Sequence, residues 1–132
     1  MTIPENALFA GVAALGFAVL FNIPGKLLGL CVLAAVVGHA ARGVAMSMGV
    51  GIEVGTLLGA LVIGMLAEIF SRRVHTPAMV FAVPAAIPFV PGAFAFNSMM
   101  GFATIAATGG EVDPSVVSAA LANALRALLI VG

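Results

Sequence analysis

Apolar positions dominate this chain so thoroughly that its elements are marked by interruptions rather than by alternation. Polar residues, prolines and glycines cut the sequence into five apolar stretches. A membrane-crossing helix needs about 20 such residues. The first stretch runs from Ala7 to Phe21 and closes at Asn22-Ile23-Pro24-Gly25. The second, Leu27 to Ala41, is bounded by Lys26 and Arg42. The third, Ile52 to Phe70, stops at Ser71-Arg72-Arg73. The fourth, Ala78 to Ala107, is too long for one straight span and is interrupted by Pro84, Pro88, Pro91 and Gly92. After the loop Thr108 to Pro114, the fifth covers Ser115 to Gly132. The pattern predicts an all-α fold: a polytopic transmembrane helical bundle of about five spans, with a Pro/Gly-broken fourth helix, as a single domain over residues 1–132. The first two stretches are short, which also admits four spans with one of the two lying shallow.

Composition supports the bilayer as solvent. Charged residues are 8% of the chain and hydrophobic residues 63%, whereas soluble domains carry about 25% charged residues. Five cations and five anions cannot cover a water-facing surface of this size. No basic cluster suits nucleic acid. The single Cys31 excludes an intrachain disulfide and a thiolate metal cluster. Met1 to Phe9 holds no Lys or Arg, so the first stretch reads as a permanent span rather than a cleaved signal. With five spans, Lys26, Arg72 and Arg73 share one side, while Glu5, Glu111 and Asp113 share the other with Arg42. The positive-inside rule then places the N-terminus outside and the C-terminus inside.

Few residues within the spans can carry chemistry. Gly51, Gly55 and Gly59 repeat every four residues and form one stripe on the third helix, where a neighbouring backbone can approach closely. Glu53 and Glu68 lie on the same helix, away from that stripe. Arg72 stands four residues after Glu68, the spacing of an ordinary helical ion pair. Glu53 lacks such a partner; it either snorkels to the surface or serves the function. His39 and Arg42 are three residues apart near the end of the second helix. They read as a headgroup anchor or as a proton-carrying group. His75 and Asn22 read as loop and turn residues. No metal-ligand spacing, phosphate-binding loop or close carboxylate pair occurs, so no catalytic or metal residue and no cofactor is expected. A Ser98–His39 nucleophile and base has nothing in the sequence to bring it together.

The strongest signal is Phe81-Ala-Val-Pro84-Ala-Ala-Ile-Pro88-Phe-Val-Pro91-Gly92. Its prolines remove three amide donors and, in a helix, would orphan the carbonyls of Val80, Pro84 and Ile87. Such carbonyls must be buried in protein or line a cavity. Pro84 is eleven residues past Arg73, so about 16 Å deep if helical, near the middle of a ~30 Å core. Pro91 suits the first turn of a new half-helix, whose free amides around Gly92, Ala93 and Phe94 would attract a carboxylate. Asn97 and Ser98 add hydrogen-bonding groups. The candidate substrate site is therefore Pro84, Pro88, Pro91, Gly92, Ala93, Asn97 and Ser98. The alternative is a kinked helix whose carbonyls neighbours satisfy.

Phe21-Asn22-Ile23-Pro24, Gly38-His39 with Arg42, and above all Ile87-Pro88-Phe89-Val90-Pro91-Gly92 resemble the small membrane subunit of the threonine/serine exporter family. The resemblance runs over roughly Gly11 to Phe102 and more weakly beyond; similar proteins continue the last helix past the position of Gly132. It implies export of small hydroxy amino acids or, as in the enteric succinate exporter small subunit, of a dicarboxylate. It further implies a multi-pass protein of the bacterial inner membrane. The expected partners are a larger membrane subunit of the same family and a small carboxylate or amino-acid substrate, with self-association a further arrangement. With no nucleotide motif, an ion or substrate gradient would drive transport, and Glu53 or His39 would couple it. A reading from another class is a helical scaffold that stabilises the larger subunit without touching substrate.

Overall fold

The computed structural model describes residues 2–90, 92–109 and 113–131. Among them every regular element is helical. The order is α1 (Ile3–Leu20), α2 (Gly25–Ser47), α3 (Ile52–Val74), α4 (Met79–Ala86), a 3₁₀ turn (Ile87–Phe89), α5 (Gly92–Ala107) and α6 (Pro114–Val131). Three of these, α1 to α3, are long and apolar enough to cross a membrane. Met79–Phe89 with Phe94–Ala107 makes a fourth crossing if the two serve as one span. The apolar α6 is the candidate for a fifth.

The helix limits correct the sequence reading at both early spans, and neither is short. α1 starts at Ile3, before the apolar run, because Thr2-Ile3-Pro4-Glu5 is a helix start. The Thr2 N–H donates to Glu5 Oε2 at 2.7 Å, and proline stands within the first two helical positions. α2 does not end at Arg42 but continues to Ser47. One charged side chain does not terminate a helix; the stop is Gly49, at φ 85°. Only glycine adopts that left-handed conformation without strain, and it lets the Val50 N–H reach back to the Ala45 carbonyl at 3.4 Å. Asn22, at φ 55°, closes α1 in the same way, with Ile23 N–H on the Ala18 carbonyl at 3.0 Å.

The chain packs as two units, Met1–Phe89 and Val90–Gly132. In the first, α1 packs on α2 and α2 on α3, while α4 seats against all three. The helices turn small residues inward and large ones outward. On α1, Ala7, Ala10, Gly11, Ala14 and Ala18 are buried, whereas Leu8, Val12 and Leu20 are 65%, 68% and 76% exposed. On α2, Cys31, Ala34, Ala35 and Gly38 are buried. Lipid is as apolar as leucine, so association rests on close backbone approach, which small residues allow. Phe81, Ile63 and Phe89 fill the space between these faces.

The second unit is the α5–α6 pair. Its tightest point is Gly101, where a Cβ would fall 2.6 Å from that of Ala120. α6 begins with Pro114 behind Asp113, whose carboxylate accepts the Ser115 N–H at 2.9 Å. That bond holds the Asp113 carboxyl below the usual carboxylate range. On the outer face of α3, Glu68 and Arg72 form the expected ion pair at 2.8 Å.

Candidate functional site

The site grows out of the prolines. Pro84 lies inside α4 and cannot donate to the Val80 carbonyl four residues earlier. That carbonyl is not orphaned: the buried Cys31 thiol of α2 donates to it at 3.5 Å. Pro84 itself is fully buried and packs rather than lining a cavity. Pro88 then turns the chain into the 3₁₀ segment Ile87–Phe89. The Gly92 amide, expected to be free, donates to the Val90 carbonyl at 2.8 Å.

Phe89 is the hinge pin of this turn. A Cβ at Gly59 would lie 2.8 Å from its ring and 2.9 Å from the Gly38 carbonyl. Glycine at both positions therefore lets α2, α3 and the ring meet in one place. Gly59 is seven residues into α3 from Ile52, about 10 Å from that helix end. α4 with its turn is thus a short segment that stops inside the bundle rather than at its surface. The Phe89 ring lies 4.1 Å from the His39 ring, centroid to centroid, tilted by 42°. The Arg42 Cζ sits 5.3 Å from the Phe89 centroid, a cation–π distance.

Beside this turn lies a cleft of about 540 Å³, within the size range of small-molecule sites. Asn6 and Phe9 of α1, His39 and Arg42 of α2, and Pro88 all line it. Among the described residues its polar groups are an amide, an imidazole and a guanidinium, and no carboxylate lines it. Among the described residues the recorded ion pair is Glu68–Arg72, so Arg42 has no acidic partner there. The buried Nδ1 atom of His39 has no hydrogen-bond partner among the described residues. The arrangement can hold an anionic oxygen against Arg42 and a second polar group near Asn6 or His39.

The structure thus brings His39 and Pro88 to one cleft, together with Arg42. Glu53 stands in the first turn of α3 and does not line the cleft. Gly55 and Gly59 are buried, whereas Gly51 is exposed at the N-cap of α3. Asn97 is exposed on α5, and the Ser98 hydroxyl donates to the Phe94 carbonyl at 2.7 Å. Pro91 lies outside the described residues, as does the side chain of Ala93. Sequence reasoning missed Asn6 and the part played by Phe89. The Thr2-Ile3-Pro4-Glu5 start places Asn6 on a helix; the contacts of Phe89 are tertiary and leave no sequence signal.

No solved structure matches this chain. Over residues 6–132, however, the sequence matches the family described as "Threonine/Serine exporter, ThrE". That match embraces α1 through α6, the proline turn and every residue of the cleft, and the chain belongs to the threonine/serine exporter family.

Proposed function

We propose that the chain is a membrane subunit of a secondary exporter that carries small carboxylate-bearing metabolites out across the bacterial inner membrane. Its family is one of transporters, not enzymes, and makes it a multi-pass membrane protein for amino-acid export. The finer reading is that the substrate, threonine or serine or a dicarboxylate such as succinate, binds in the cleft at the proline turn. One observation carries it: the Arg42 guanidinium faces a cleft with no carboxylate and stands ready for an anion's oxygens. Asn6 offers a neutral donor and acceptor to the rest of the substrate. α4, its turn and α5 act as the two halves of a discontinuous span, and the site sits where the first half stops. A larger membrane subunit of the same family completes the transporter.

The test is efflux of labelled threonine and succinate from cells expressing the chain, with and without a larger family subunit, for wild type and Arg42→Gln. Export should collapse in the variant while its membrane abundance stays normal. Normal export by a normally abundant Arg42→Gln would remove the cleft as the site and leave the scaffold reading in its place.

A further inference from the structure

We propose that Phe89 is a positioning residue for substrate: its ring holds the Arg42 guanidinium in place while leaving all the guanidinium donors for the ligand. This inference rests on the cleft being the substrate site.

The argument starts from what an arginine needs inside an apolar bundle. A guanidinium away from bulk water requires a compensating group. A carboxylate would supply it but would occupy the donors. Arg72 shows that case, with its Nε bound to Glu68 at 2.8 Å. Arg42 has no such bond among the described residues. It has instead the Phe89 ring, 5.3 Å from Cζ to centroid. An aromatic face attracts the cation through its quadrupole and consumes no N–H. All five donors of the fork therefore remain for two carboxylate oxygens.

The ring is itself fixed. It is 7% exposed. Its edge sits in the notch cleared by Gly59, where a Cβ would fall 2.8 Å from ring carbons. The His39 ring, 4.1 Å away, closes another side. Phe89 follows Pro88 directly in the 3₁₀ turn, and Pro88 lines the cleft. Any shift of the turn therefore carries the ring, and the ring carries the guanidinium.

The test is a double-mutant cycle in the full chain, reconstituted with the larger family subunit in lipid nanodiscs, with binding of L-threonine, succinate and L-threoninamide read by calorimetry. Phe89→Met keeps the volume and removes the ring. It should weaken threonine or succinate binding about ten-fold and reduce the preference for threonine over its amide. Arg42→Gln should weaken binding about thirty-fold. In the Arg42→Gln background, Phe89→Met should change affinity less than about two-fold, because the ring would have nothing left to position. If Phe89→Met fails to accumulate, Phe89→Leu is read in the same cycle. A ten-fold loss that persists in the Arg42→Gln background would overturn the inference and make Phe89 a packing residue alone. Arg42→Gln without effect on either acid would overturn the cleft reading and this inference together.

Discussion

Arg42 and Arg72 carry the same side chain on neighbouring helices and live in opposite circumstances. Arg72 projects from the end of α3 with its side chain 80% exposed, paired with a Glu68 side chain that is 54% exposed. Arg42 is half-buried within α2, faces a cleft and rests on an aromatic ring. Exposed i,i+4 pairs contribute about 0.3–0.5 kcal/mol, and their removal is felt little. A cation inside the bundle without an acid is costly to keep. The contrast teaches where to look for function: at the charge that has no acidic partner among the described residues.

The largest effect that would sharpen this contrast comes from treating both arginines alike. Arg42→Gln should weaken carboxylate binding about thirty-fold. Arg72→Gln should leave it within about two-fold and alter detergent stability by less than ~1 kcal/mol. Equal effects in a binding titration would erase the distinction.

A second experiment supplies the missing acid. Asn6→Asp places a carboxylate in the cleft with Arg42. Affinity for succinate or threonine at neutral pH should fall about ten-fold, by competition for the guanidinium. Affinity for threonine should recover as the pH falls through the titration of the new carboxyl, which the neighbouring Arg42 holds below the ordinary aspartate range. An Asn6→Asp protein that binds as wild type would show that Arg42 does not meet the ligand.

The smallest effect applies the same logic to a backbone group. The Cys31 thiol partners the Val80 carbonyl that Pro84 leaves without an amide. Cys31→Val should cost about 1 kcal/mol of stability in a detergent melt. In a Pro84→Ala background the cost should shrink, since the alanine amide takes over the carbonyl. Equal losses in both backgrounds would mean that the thiol only fills space.

Much of this was legible without coordinates. Composition and run length gave the membrane class, because 8% charged residues leave no other solvent. Glu68–Arg72 followed from spacing, since helical neighbours at i,i+4 meet whatever the fold. The proline run points to the turn beside the proposed cleft, and His39 with Arg42 is visible as a polar pair. What sequence could not give was convergence. Asn6 is far from Arg42 in sequence, and only the α1–α2 packing brings both to one cleft. Arg42 looked like a boundary because a charge next to an apolar run usually is one; here Gly49 ends the helix. Of the expected site from Pro84 to Ser98, two polar groups have local partners. The Gly92 amide finds the Val90 carbonyl and the Ser98 hydroxyl the Phe94 carbonyl, partners no motif announces.

The alanine and glycine faces of α1 and α2 have a mechanical meaning as well. Side chains such as those of Ala7, Ala14, Ala18, Ala34 and Ala35, all buried, have no rotamers to freeze or exchange. Leucine surfaces interlock as ridges and grooves, so one helix passes another only by repacking. Methyl-lined surfaces are smooth by comparison. They resist separation, because the backbones are close, and their axial register is set where Val36 of α2 fills the space over Gly11 of α1. Small translations of packed helices are one of the ways proteins change state. A pair pinned in this way is suited to shift as one block, with α1 and α2 moving together.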